Sequence, residues 1–292
     1  FIPLETMIYF KRKFEANPEL VPREGMEIIS ELEQFIINEA GMDITYFARN
    51  AAPRTGCPHP NIFNNKKNYA QEILEQNPKV LYEPQIIDVR YLPSEERDEK
   101  IQEWIKRRER VFSSPENIKN GWRRLLKEFE EVTTGFNDSI DAVIGTNSPW
   151  RVWGEVKRHR ALDQTVESVY HAIDRAGEVV KRNNEYYLNV EQMIKEFEPV
   201  VSIPDSVKKD ENNLRDWIER FSDSITTYYR LLYLGVKKSD AVAEIPRGLK
   251  VGITKHPNFY NLTAGYYSLR SWQSAEPEMR RITEKEIELL QG

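Results

Sequence analysis

The sequence predicts a predominantly helical α+β fold, and three observations carry that prediction. Apolar residues recur at helical spacing in several long segments. Short runs rich in β-branched and aromatic residues interrupt them. Proline, glycine and serine punctuate the borders between the two patterns. At 292 residues, 39% hydrophobic and 30% charged, the chain can build a sizeable core in one or two domains.

Met26, Ile28, Ile29, Leu32, Phe35, Ile36 and Ile37 mark an amphipathic helix over residues 23–40, with Gly41 as its stop. Residues 51–65 hold three prolines and no periodicity, which predicts a long loop. Ile86, Ile87, Val89 and Tyr91 predict a strand over 85–91. Ser94 is a candidate cap for a charged helix reaching Phe112, and Ser114, Pro115 and Glu116 open another that ends near Gly135, with Trp122, Leu125, Leu126 and Phe129 as its core stripe. Ser148 and Pro149 open a helix carrying Trp150, Trp153 and Val156. Residues 164–181 read as strand then helix, or as one helix throughout. After a break at 199–204, Leu214, Ile218, Phe221, Ile225 and Leu232 mark a long helix ending at Gly235. Ser239 is read as the cap of a short helical turn. A strand over 247–254, a helix over 259–272 and a final helix over 275–290 complete the series. No internal repeat is present.

The net charge of −5 argues against a general polyanion binder, whose affinity rests on counterion release over a broad basic face. Any anion site must be local. Cys57 is the single cysteine, so no intramolecular disulfide can form and a thiolate cluster for zinc or iron–sulfur is excluded; Cys57 and His59 alone make a poor metal site, and none is expected. No apolar run reaches the length of a membrane span, and a cytoplasmic location is expected. The chain opens on Phe1 instead of Met, from which preceding sequence is expected.

Two segments concentrate the chemistry. Lys157, Arg158, His159 and Arg160 are four successive cationic or potentially cationic side chains, followed by Glu167 and Ser168. Such neighbours repel by about 1 kcal/mol per close pair in water, so the cluster points to a compensating anion, phosphate first, or to a solvated basic face. A helix C-terminus also favours cations electrostatically. The second segment is Leu269–Arg270, followed by Ala275, Glu278, Met279 and Arg280. For Arg270 alone, a salt bridge to Glu276 or Glu278 is the structural alternative.

In order, Arg158-His159-Arg160, Ser168, Tyr229-Arg230-Leu231-Leu232, Gly235-Val236, Asp240-Ala241, Ile245-Pro246, Leu269-Arg270 and the Ala275–Arg280 stretch resemble the flavin-dependent thymidylate synthases, the ThyX family. The family signature reads RHRxxSxNExSxRY. Asp163, Thr165, Val166, Tyr170 and His171 depart from it, and Glu155 stands where the family usually has Gln. The resemblance implies a ThyX-like flavin and nucleotide domain over residues 136–292, with 1–135 an added helical region. It implies FAD held by Arg158, His159 and Arg160. Arg270 would act catalytically beside the pyrimidine, with Ser168, Glu155 and Glu167 as further substrate-binding candidates. The implied activity is methylation of dUMP or a related pyrimidine nucleotide, with methylenetetrahydrofolate and NADPH as co-substrates, in a homotetramer. The lost signature residues leave a second possibility, a catalytically inactive paralogue serving as a binding or assembly protein. Nucleic acid and membrane are not expected partners.

Overall fold

The computed structural model describes residues 11–12, 14–15, 18, 22–40, 67–116, 122–159, 162–183 and 188–291. The expected loop at 51–65, with Cys57 and His59, lies outside them, as does Arg160.

Among the described residues, four strands form one antiparallel sheet. They are β1 (Gln85–Tyr91), β2 (Ile140–Pro149), β3 (Asp163–Val166) and β4 (Lys250–His256), in the order β1-β2-β4-β3. The α+β, mostly helical class holds. The sheet takes β1 from before residue 136, so its strands cross the expected domain border at 135/136.

Strand β4 is central and buried on both faces, which removes the polar alternation of a half-exposed strand. Val251, Ile253 and Lys255 point to one face, and Gly252 and Thr254 to the other. With α1 as Arg23–Ala40, the glycine face is covered by the next described helix, α2 (Tyr69–Gln76). A Cβ on Gly252 would lie 2.4 Å from Leu74 Cδ1, and one on Gly145 would lie 3.0 Å from Val80 Cγ2. Glycine is therefore what lets this helix and the turn Pro78–Leu81 sit on the sheet. Asn68 fixes the start of α2, its Oδ1 accepting from Gln71 N and its Nδ2 donating to Val166 O.

The opposite face meets the main core. Helices α3 (Ser94–Ser113) and α4 (Trp122–Thr134) pack on each other, with Phe112 and Phe129 in edge contact at 5.2 Å. Helix α5 (Trp150–Val156) continues β2. Helix α6 (Val169–Asn183) buries Val169, Tyr170, Ala172, Ile173 and Ala176 against β4 and the long helix described next, on which α7 (Val190–Phe197) also packs. After α8 (Asp205–Lys208), α9 (Glu211–Tyr233) buries Leu214, Ile218, Phe221, Ile225 and Tyr228, a stripe at helical spacing. Asp210 caps α9, accepting from Asn213 N, and Gly235 closes it at φ 85°, where a side chain would be strained. Helices α10 (Lys238–Ala241), α11 (Phe259–Thr263), α12 (Tyr266–Arg270) and α13 (Pro277–Gln291) complete the chain.

Several expectations are corrected. Pro93, and not Ser94, is the N-cap of α3, and Lys237 precedes α10, with Ser239 inside it. Ser148 and Pro149 end β2 before they introduce α5. The single helix expected over 259–272 is two short helices, because Gly265 leaves the helical region at φ −95°, ψ −121°. Residues 164–181 resolve to strand then helix.

Candidate functional site

Helix α5 sends Val152, Trp153 and Val156 into the core and leaves Arg151 and Glu155, one turn apart, on another face. The chain then turns back: Lys157 N donates to Trp153 O, His159 N to Val156 O and Leu162 N to His159 O, with Leu162 buried as the anchor. This turn fixes His159. Its ring stands edge-on to Tyr266 with centroids 5.2 Å apart.

Arg270, the last residue of α12, arrives from 111 positions away and donates its Nε to His159 Nε2 at 2.7 Å. Its other nitrogens reach Glu155, NH1 to Oε2 at 3.1 Å and NH2 to the carbonyl oxygen at 3.3 Å. Glu155 Oε1 also holds Arg158 NH1 at 3.2 Å. Arg158, His159, Glu155 and Arg270 thus form one cluster. The salt bridge considered for Arg270 with Glu276 or Glu278 does not form; Arg151 takes both of those carboxylates.

A guanidinium cannot accept a hydrogen bond, so Nε2 of His159 is the acceptor and its proton resides on Nδ1. Burial and then the positive charge of Arg270 push the His159 pKa down to about 4, against a smaller opposing pull from Glu155. At neutral pH His159 is an uncharged donor. Arg158 remains largely exposed, at 68% of its side chain, and presents its remaining N–H groups to solvent.

Glu167 and Ser168 lie elsewhere. Glu167 is 3% exposed at its side chain, and its Oε2 accepts from Arg175 NH2 at 2.8 Å and from Gly252 N at 2.9 Å. Arg175 also donates to Pro199 O and Lys250 O, so the pair locks α6 to the start of β4. Ser168 is fully buried; its Oγ accepts from Tyr170 N at the start of α6. These contacts tie both residues into the framework.

Sequence reasoning missed a second charged group beneath the first. Lys255 and Glu286 are fully buried and paired; Lys255 Nζ reaches Tyr266 Oη at 3.1 Å, and Thr146 Oγ1 donates to Glu286 Oε1 at 2.5 Å. Burial alone would favour loss of the lysine proton, and Glu286 outweighs it, holding Lys255 charged with its pKa raised. Tyr266 belongs to both groups, through Lys255 and through His159. One signal was available: Met279, Thr283 and Glu286 follow the buried stripe of α13.

Comparison with known proteins gives the chain its relatives. Two crystal structures of the flavin-dependent thymidylate synthase ThyX from Helicobacter pylori, both with FAD and dUMP, are similar to it at 16% identity. One superposes with a TM-score of 0.43 over 71% of this chain and 93% of that one. The other gives 0.44 over 71% and 92%. No curated protein matches. The family model of the thymidylate synthase complementing protein matches residues 67–292, β1 and α2 included. By that match the chain belongs to the thymidylate synthase complementing protein family, the ThyX family.

Proposed function

We propose that this protein is a flavin-dependent thymidylate synthase that methylates dUMP or a related pyrimidine nucleotide, using methylenetetrahydrofolate and NADPH. The observation that carries the reading is the 2.7 Å contact between Arg270 and His159, which unites two distant segments in one half-exposed cationic cluster. Family membership supports the reaction class.

The donor set fits FAD. Arg158 offers exposed N–H groups for phosphate or a ring carbonyl, and neutral His159 offers Nδ1–H; Arg160 is the third proposed contact. Leu269 and Trp272, 51% and 64% exposed, add apolar surface beside them. When bound, reduced FAD supplies the electrons for the methyl transfer. The protein supplies position and charge. Arg270, held on three nitrogens, presents a fixed positive charge that stabilises negative charge developing on the pyrimidine ring. Glu155 orients Arg270 and sets its charge against Arg158. A homo-oligomer, tetrameric by resemblance, is part of this reading, as is a functional unit over 136–292 supported by the strand and helix packed onto it from residue 67 onward.

One observation favours the second reading, a paralogue without catalysis. Ser168 and Tyr170 have no exposed surface, so the part of the signature that still matches at Ser168 is sealed. The test is mass analysis of the nucleotide after incubation with FAD, NADPH, methylenetetrahydrofolate and dUMP, with cytidylate and uridylate in parallel. Gain of one methyl group supports the enzyme. Retained flavin with unchanged dUMP, cytidylate and uridylate overturns it in favour of the binding protein.

A further inference from the structure

A pocket of about 380 Å³ lies by the start of α5, reached by Arg151 and not by Glu155. One wall is a face of α9, where Trp217, Phe221 and Ser224 are spaced for a common side. The other is built from residues 201–204 and 246–248. That wall is tied by backbone bonds, Ser202 N to Gly248 O at 2.9 Å and Arg151 N to Arg247 O at 3.0 Å. It is a preformed cavity of the size that takes a small molecule.

Its lining has one sign of charge. Arg151, Arg220 and Arg247 line it, and among the described residues no carboxylate does. Arg151 is held by Glu276 and Glu278, and Arg220 is held through Nε by Asp216, acids that stand outside the pocket. Arg247 is exposed and makes no ion pair among the described residues. Trp217 keeps 37% of its surface open, so an indole lines the same cavity as Arg247, which also borders a neighbouring pocket with Glu24 and Asp240. The two serine hydroxyls are already used, Ser202 on Glu278 and Ser224 on Arg220 O. A ligand must therefore bring apolar surface and negative charge, with little need for other polar partners.

We propose that this pocket binds a small aromatic carboxylate, its ring against Trp217 and Phe221 and its charge on Arg247. Aromatic packing and a charge-assisted hydrogen bond are the two contributions. The site uses none of Arg158, His159 or Arg270, so it stands or falls separately from the flavin reading.

Calorimetry on the full chain tests it with 2-naphthoate, 2-naphthylmethanol and inorganic phosphate. The acid should bind with one site per chain, the neutral alcohol about tenfold more weakly, as expected for loss of one charged hydrogen bond, and phosphate not at all. Arg247→Ala should bring the acid to the level of the alcohol and leave the alcohol unchanged. Ser224→Trp, which fills the cavity from α9, should abolish both while the melting transition is kept. Equal binding of acid and alcohol overturns the proposal. So does acid binding that survives Ser224→Trp or keeps its wild-type strength in Arg247→Ala, or no acid binding by the folded wild-type chain.

Discussion

The two charged groups that meet at Tyr266 contain the same chemistry and differ in exposure. Lys255 and Glu286 are sealed at 1% and 0% side-chain exposure, whereas Arg270 and Glu155 keep 18% and 25%. In the sealed pair the desolvation cost has already been met, and removing one partner strands the other in the core. In the open pair water screens the attraction, so a ligand can compete for the arginine at small cost. Framework and proposed site thus differ in burial, since both are built from ion pairs. Tyr266 joins them: Lys255 holds its hydroxyl, and its ring supports His159.

The largest effect should come from splitting the sealed pair. Lys255→Met or Glu286→Leu alone is expected to cost about 3–5 kcal/mol in urea unfolding, and the double variant much less, because no charge is then left unpaired. Equal loss in single and double variants would break the contrast. Arg270→Ala should leave stability within about 1 kcal/mol of wild type and reduce nucleotide binding by more than about tenfold, read by calorimetry with dUMP. A large stability loss with unchanged binding would make Arg270 framework.

Next in size is a pH effect at His159. Its folded pKa, about 4, lies below the ordinary value of 6.5. Between those values the unfolded chain binds the extra proton, so stability rises with pH across the window and falls as pH drops from about 6.5 toward 4. In His159→Gln that slope should flatten, measured as urea midpoints at pH 4.5 and 7. The smallest effect is expected for Glu155→Gln. Stability should change by less than about 1 kcal/mol, while pyrophosphate affinity rises severalfold because Arg158 and Arg270 lose a competing carboxylate.

Much of this frame was legible in the residues. The helix at 23–40 and the strand at 85–91 have the borders the pattern predicted, and the stripe from Leu214 to Leu232 marked α9. Strand β2 was not anticipated, because a strand buried at its far end carries no polar alternation, and its Gly-Thr-Asn-Ser-Pro end reads as a turn. The break at Gly265 was hidden by apolar residues on both sides. At the site, the pairing of the Arg158 segment with Arg270 was legible only through their resemblance to a family, since nothing local links positions 111 apart. Glu155 was noticed as a substitution, and its partner was not. Ser168 matched by position and Glu167 stood one residue from the signature Glu; both are bound into the framework, which shows that a motif match gives identity without exposure.

The central claim is that the Arg158 and Arg270 segments form one flavin-dependent site. The most direct measurement is the visible spectrum of protein mixed with FAD and passed through gel filtration, for wild type, Arg158→Ala and Arg270→Ala. Stoichiometric flavin in wild type, its loss in Arg158→Ala and its retention without nucleotide binding in Arg270→Ala is the predicted result. A folded wild-type chain that retains no flavin, or an Arg158→Ala variant that retains it fully, would contradict the account.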